Sequence, residues 1–464
     1  MRFTRILLIV FGLFALIASA IVINGYNELS QAGQQLKDAP QIAARHYELA
    51  ARCLVWRADL WEKAGVSAYV GRAYAEATRL FSIAREHNSL SAEAWDMFGS
   101  AYWLNDDHAS ALETWQSGAE KYPSSAALYD RLAMAYHENG DYAYEQDALT
   151  ARISLGADAQ AYYRLGLLLI LSDPNRALDS LTAASSLDPE FDSVSQTLIT
   201  TINLSALQPD EATRLVTLGR GLGLVNEWDL ASRAFDEAIR ADGKYAEAWA
   251  WLGEAKQQKD QDGRADLDRA LELNPKSVLV RGLRGLYWKR QGNYQQALSE
   301  YLLAAETEPE NPAWRVSIAE TYAQMGDLSS ALVAYQRATE LASKESIYWR
   351  LLALFCAANN VQVEDVGLPA AQKAVQLAPD DASALDMLGW SYLSSGRLSL
   401  AEQTLLDAIE LAPEFASAHL HLGMTYLAQA DRDAAHLELT RARDLDPQGE
   451  IGQFAAQLLD QYFP

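Results

Sequence analysis

Cysteine is nearly absent from this chain, with only Cys53 and Cys356 in 464 residues. Set far apart inside helical patterns, the two read as buried free thiols in preference to a disulfide, and they do not fix the redox compartment. Positive charge is also short. Lys and Arg number 38 against 62 Asp and Glu, a formal net charge of −24. Such an excess repels a phosphate backbone at long range and argues against nucleic acid as a partner. An acidic, solvated face accounts for it. Strand-like alternation is missing as well, and so are motifs that carry catalysis. The glycine-rich "GRGLG" at Gly219 to Gly223 sits inside a helical unit with no strand before it, so it reads as helix packing rather than a phosphate loop. His419 and His421 stand two apart, which turns them to different sides of a helix as ordinary, partly exposed histidines. "NLS" at Asn203 to Ser205 is a glycosylation acceptor only in a suitable host. Neither cysteine has a histidine nearby in sequence to activate it. No catalytic residue, metal site or cofactor is expected, and the chain reads as a non-enzyme.

Long uncharged runs are rare too, and the one present is informative. After "MRFTR" comes "ILLIVFGLFALIASAIVI", Ile6 to Ile23. About eighteen such residues are long enough for a bilayer-spanning helix. Ala18, Ser19 and Ala20 offer a small-residue cleavage pattern, so a removed signal peptide is the alternative, which would leave a secreted or periplasmic protein. The uncleaved anchor is preferred, because the apolar run continues past Ala20 and its sequel is helical. Arg2 and Arg5 precede the span, whereas Glu28, Lys37 and Asp38 follow it without net positive charge. The positive-inside bias then puts the N-terminus in the cytoplasm and the large remainder on the extracytoplasmic side.

What the chain has in plenty is a repeat. In Ala92 to Pro123, Trp95, Phe98, Gly99 and Tyr102 share one face of a helix, and Ala111 and Trp115 face them from a second. Asn105, Asp106 and Asp107 make the polar turn, and Pro123 stops the second helix. Shifted by about 34 residues, the pattern returns. Backward it lands on Trp61, Gly65, Ala77, Phe81 and Ala84; forward on Tyr129, Leu132, Ala133, Tyr136 and Gly140, with Glu145 where a small residue belongs. Near the C-terminus Leu388, Gly389, Tyr392, Gly396, Ala401, Leu405, Ala408 and Pro413 recur as Leu422, Gly423, Tyr426, Ala430, Ala435, Leu439, Ala442 and Pro447. About eleven units run from Leu60 to Pro447, with a possible half unit at Ala43, Tyr47 and Ala50.

These residues resemble the tetratricopeptide repeat, whose pattern is an aromatic, a leucine–glycine pair, a tyrosine, an alanine, an aromatic, an alanine and a proline. The resemblance implies an all-α fold: an α-solenoid of stacked helix pairs in a right-handed superhelix, here preceded by one transmembrane helix. It implies a concave face that holds peptides or protein segments, and no catalysis. The residues agree, since one helix pair cannot bury its own apolar face and asks for neighbours.

One segment breaks the alternation. "EFDSVSQTLITTINLSALQPDEATR" has room for one extra helix near Asp192 to Leu207, which makes a boundary between two arrays. The expected organisation is a short cytoplasmic N-terminus (1–5), an anchor (6–24), a helical linker with the half repeat (25–57), an array of about four repeats (58–190), the unpaired helix (191–210), an array of about seven (211–447) and a capping helix (448–464).

In the resemblance, the first helix of each pair lines the concave face. The inward positions are Asp96, Ser100 and Trp103, then Asp130, Met134 and His137, then Tyr163, Leu167 and Ile170. Asp386, Trp390 and Leu393 follow, and last Leu420, Met424 and Leu427, which the capping helix is expected to cover. The lysine-and-asparagine clamp for carboxyl-terminal peptides is missing, and carboxylates with rings suit a basic or amphipathic segment. The function expected is a membrane-anchored, non-catalytic scaffold that recruits partner proteins. The alternatives are an assembly chaperone for client segments and an accessory subunit that docks a membrane glycosyltransferase or ligase.

Overall fold

The computed structural model describes residues 2–463, with side chains from residue 10 onward. Met1, the side chains of Arg2 and Arg5, and those of residues 6–9 of the apolar run lie outside the described residues, as does Pro464. Among the described residues there are 26 α-helices and no strand. They fall into two compact units, one ending at Ala234 and the other beginning at Phe235.

The first unit opens with the helix Arg2–Gln35, whose stretch from Val10 is long and apolar enough to cross a membrane. Phe11, Phe14, Leu16 and Ile17 are all exposed on it. A helix apolar on every side has no soluble core to join. Its other end is buried by the helix Pro40–Cys53, with Ala32, Ala43 and Ala50 fully covered. Four helix hairpins follow: Asp59–Val70 with Tyr74–Glu86, Ala92–Trp103 with His108–Lys121, Ala126–Asn139 with Tyr142–Leu155, and Ala159–Leu169 with Pro174–Leu187. The helix Asp192–Ser205 then follows, packed between Pro174–Leu187 and Glu211–Leu224, and Trp228–Ala241 comes next.

The second unit repeats the hairpin. Ala246–Gln258 pairs with Arg264–Leu273, Val278–Arg290 with Tyr294–Thr307, and Pro312–Gln324 with Leu328–Leu341. Ser346–Asn359 pairs with Leu368–Leu377, Ala382–Ser394 with Leu398–Leu411, and Ala416–Gln429 with Arg432–Leu445. The last helix, Glu450–Tyr462, joins Leu420 and Leu439 in one apolar cluster and covers Met424 and Leu427. An array ends stably only when something covers its last apolar face.

The hairpin of Ala92 to Lys121 shows why these residues fold this way. Ser91 caps the first helix by accepting from the Ala94 N–H, and Asp107 caps the second by accepting from Ser110. Between them Asp106 turns the chain in the left-handed region, at φ +59°. Gly99 then lies against the buried Trp115 indole so closely that any Cβ would overlap it. The indole Nε1 donates to the Asp96 carbonyl at 3.1 Å. The same tightness explains Gly221, where a Cβ would run into Thr201 of the helix Asp192–Ser205. "GRGLG" is a packing surface. Both cysteines are free; Cys356 is buried, and burial pushes its thiol up to about 11, while Cys53 is only partly covered.

Hairpin turns close on a left-handed residue. It is glycine at Gly140, Gly292, Gly326 and Gly396, and alanine at Ala430, where φ is +65°. A Cβ costs about 1–2 kcal/mol in that conformation, partly offset by the extra freedom glycine gives the unfolded chain. Ala430→Gly is therefore expected to stabilise the last repeats by roughly 1 kcal/mol. Slower amide exchange in Ala416–Leu445 would bear this out, and unchanged or faster exchange would refute it.

Candidate functional site

Asp130, Met134 and His137 lie at i, i+4 and i+7 of Ala126–Asn139 and so share a face. Tyr163 meets them from the next hairpin, and the four line an open cavity of about 710 Å³ in the first unit. Phe191, from the short turn before the helix Asp192–Ser205, closes one side with its ring 5.0 Å from that of Tyr163. Burial, then the Glu227 charge, pushes the Tyr163 phenol up to about 12, so it stays a hydrogen-bond donor.

The centre of the cavity is a buried ion pair. Glu145, only 1% exposed, occupies a slot that holds fully buried alanines in other repeats, such as Ala111 and Ala177. Arg164 answers it, with Nε donating to Glu145 Oε1 at 2.6 Å and Nη1 to Glu227 Oε2 at 3.2 Å. Burial works against the Arg164 charge, but the Glu145 hydrogen bond and both carboxylates outweigh it and hold the guanidinium above its ordinary value. Arg164 Nη2 also lies 2.7 Å from His137 Nδ1. A guanidinium can only donate, so Nδ1 accepts and the imidazole offers Nε2–H to the cavity. On the rim, Arg152 Nε donates to Asp130 at 2.8 Å and Nη2 to Asp158 at 3.0 Å. Asp130, Glu145, Asp158 and Glu227 thus outnumber Arg152 and Arg164.

Of the remaining expected positions Leu167 also lines this cavity, and the others do not. One repeat earlier, Asp96 accepts from Arg131 Nε at 2.8 Å and from the buried Ser100 hydroxyl at 3.4 Å. Trp103 stacks on His108, 4.0 Å between ring centroids, and tilts against Trp115. Leu167 is nearly covered at the cavity wall, and Ile170 is buried rather than open to a groove, because their helix packs closely through Gly166 onto Leu181. In the second unit Asp386 is 2% exposed and accepts from His421 Nδ1 at 2.7 Å and from the Ser417 hydroxyl at 2.8 Å. Its carboxylate is consumed by the next repeat and has no face for a partner. Trp390 is half-buried against the same His421, 4.5 Å between centroids. Both histidines of that helix are buried, contrary to the expectation of partial exposure, because each has a carboxylate to face.

The sequence reading missed Arg164, Asp158, Phe191 and Glu227. It noted Glu145 as a departure, and that was the usable signal: a carboxylate in an alanine slot demands a cation from a neighbouring repeat.

Two outcomes follow from these contacts. Arg164→Met leaves Glu145 buried beside no guanidinium and is expected to cost about 3–5 kcal/mol, whereas the double substitution with Glu145→Ala should recover most of it. Denaturant unfolding of both variants tests this, and equal loss in the two would refute it. His419 lies between two acceptors, Glu438 Oε2 at 2.6 Å and the Pro413 carbonyl at 3.0 Å. Burial opposes its charge, but those partners outweigh it and raise the imidazole above 6.5. Its contribution is therefore complete below pH 6.5 and is lost as pH rises through the raised value. Melting of the chain should fall over that range, and His419→Gln should flatten the fall; parallel profiles would refute it.

Profiles of the tetratricopeptide repeat match residues 289–355 in one version and 256–312, 365–415 and 387–450 in another. Human protein O-mannosyl-transferase TMTC1 is 31% identical over 143 residues, 30% of this chain and 15% of that protein. Anaphase-promoting complex subunit 3 of Schizosaccharomyces pombe is 25% identical over 122 residues, 26% of this chain and 18% of that one. The chain thus spans less than a fifth of the length of either curated relative. Among solved structures, yeast Tom70 superposes with a TM-score of 0.43 at 16% identity, covering 94% of this chain and 95% of that one. Cut9 in its tetramer with Hcn1 gives 0.43 at 14%, covering 98% of each. The matched residues are tetratricopeptide repeats, hairpins of the same build flank them, and the chain thus carries an array that includes tetratricopeptide repeats.

Proposed function

We propose that this protein is a membrane-anchored, non-catalytic scaffold whose first unit holds a basic or amphipathic segment of a partner protein. Tetratricopeptide repeats bind protein or peptide segments, and the cavity around Arg164 has the chemistry for one kind of segment. The observation that carries the reading is its charge: Asp130, Glu145, Asp158 and Glu227 against Arg152 and Arg164, beside the Tyr163 and Phe191 rings. A lysine or arginine side chain offers a cation for the surplus carboxylates and a methylene stem for the rings. Glu145 and Arg164 hold each other in the interior, and the exposed Asp130 and His137, paired with Arg152 and Arg164, are the groups an incoming segment meets first.

The exposed apolar helix before the repeats supports anchoring through residues 6–24, and Arg2 and Arg5 ahead of it favour a cytoplasmic N-terminus with the repeats extracytoplasmic. The helix Asp192–Ser205 supports a boundary at 191–210 between arrays of about four and about seven repeats.

Peptide binding to the full chain in detergent tests the scaffold reading. Lysine-rich amphipathic peptides should bind, acidic ones of equal length should not, and added salt should weaken the binding. Asp130→Lys should weaken it at least roughly tenfold with helicity unchanged. Equal affinity for acidic and basic peptides, or no effect of Asp130→Lys, would move the binding surface elsewhere. Crosslinking in intact cells that returns one membrane glycosyltransferase in fixed ratio would select the docking-subunit reading, and many weak clients the chaperone.

A further inference from the structure

The apolar helix does not hand over to the repeats through a loop. It runs unbroken to Gln35, and the turn after the second helix comes back to touch it at Gly25, two residues past the end of the apolar run at Ile23. A Cβ on Gly25 would stand 2.7 Å from Leu54 Cγ and 2.8 Å from Cys53 Cβ, so only a glycine fits this contact as it stands. Asn24 Nδ2 reaches Cys53 Sγ at 3.8 Å on the same level. The turn itself closes with the Arg57 N–H on the Leu54 carbonyl at 2.7 Å, which leaves Val55 and Trp56 at its tip, 75% and 59% exposed.

That tip is the wrong chemistry for water. The turn of the hairpin Ala92–Lys121 carries Asn105, Asp106 and Asp107, and several others close on glycine, whereas two adjacent large apolar residues stand at the tip here. A valine and a tryptophan at the two central positions have neither the backbone preference nor the polarity of turn residues. Tyr26, half exposed, lies on the adjoining turn of the first helix. Height decides what they meet. Two residues of helix rise about 3 Å, and the headgroup layer on each side of the hydrocarbon is roughly 5–7 Å thick. The Leu54–Arg57 turn therefore sits inside that layer, where tryptophan and tyrosine are favoured.

We propose that Val55 and Trp56 form a second membrane contact, a turn that dips into the lipid headgroup layer beside the anchor and, with Tyr26, holds the first repeat at a fixed height on the bilayer. The inference rests on the anchor reading. Its occupant is the lipid interface, because the tip is continuous with the apolar span and the tight Gly25 contact denies it freedom to reach away.

The test uses the full chain with Cys53→Ser, keeping the buried Cys356, reconstituted into phosphatidylcholine–phosphatidylglycerol vesicles. An environment-sensitive fluorophore is placed at Val55→Cys, with Trp56→Cys as a second position should the first fail to fold by helicity. Val70→Cys, exposed at the far end of the helix Asp59–Val70, is the aqueous control about 16 Å further along. Phe14→Cys reports the anchor. The label at Val55 should lose most of its emission to headgroup-nitroxide lipid and little to iodide, and the label at Val70 the reverse. Quenching at Val55 by iodide as at Val70, while Phe14 is quenched by chain-nitroxide lipid, would overturn the proposal and leave the anchor standing. A Phe14 label open to iodide would overturn both. A Val55 label shielded from iodide and from nitroxide lipid alike would overturn it in favour of a protein contact.

Discussion

The closest approach between the two helices of a hairpin is made where one of them has no side chain. A Cβ on Gly65 would lie 2.6 Å from the Phe81 ring; on Gly389 and Gly423 it would lie 2.5 and 2.8 Å from Leu405 and Leu439. Each of these large side chains is fully buried. The glycine lets the opposite helix come in, and the ring or leucine fills the space that closeness leaves, so axis separation and core packing are one constraint. Alanines such as Ala111, Ala297 and Ala401 complete it on the second helix, all with no exposed surface. Any larger residue there would force the hairpin open.

One repeat departs from that constraint and becomes the most polar place in the first unit. Glu145 stands in the alanine slot, and a carboxylate 1% exposed cannot be left without a partner. Arg164 comes from the next hairpin to meet it, and once a guanidinium is held there, His137 and Glu227 gather on its remaining donors. The polar cluster holds an opening that a packed alanine would not. Its specificity follows from the same residues: carboxylates in surplus, two rings and one locked cation.

The repeat was legible because its constraint is local. Gly99 and Trp115, or Gly389 and Leu405, stand at fixed separations in the chain, so periodicity reveals them without any knowledge of neighbours. The candidate site was half legible. Asp130, Met134, His137 and Tyr163 follow from their positions on the first helices, and they do converge. Arg164 and Glu227 could not be read that way, because what recruits them is a charge in another hairpin. Asp386 and Trp390 show the opposite failure. Position alone put them on an open face, but His421 and Ser417 of the following repeat cover them, and helical spacing says nothing about what the next hairpin brings.

Contacts within a hairpin and contacts between hairpins therefore use different physics. Inside a hairpin the closest fit, a glycine against a ring or a leucine, is steric and apolar, non-directional, and tolerant of exchange between leucine and aromatic residues. Between successive hairpins the buried contacts include directional charges. In the second unit Arg290 grips the buried Glu254 of the preceding hairpin with two hydrogen bonds of 2.8 Å. Such pairs add little net stability, since desolvation consumes most of the attraction, but a mispaired one leaves a buried charge. They penalise the wrong rotation of one hairpin on the next, which apolar packing alone would permit. The Glu145–Arg164 pair belongs to this class. What separates it from Glu254–Arg290 is the open cavity beside it, so the chemistry that sets the register of hairpins elsewhere faces an open space here.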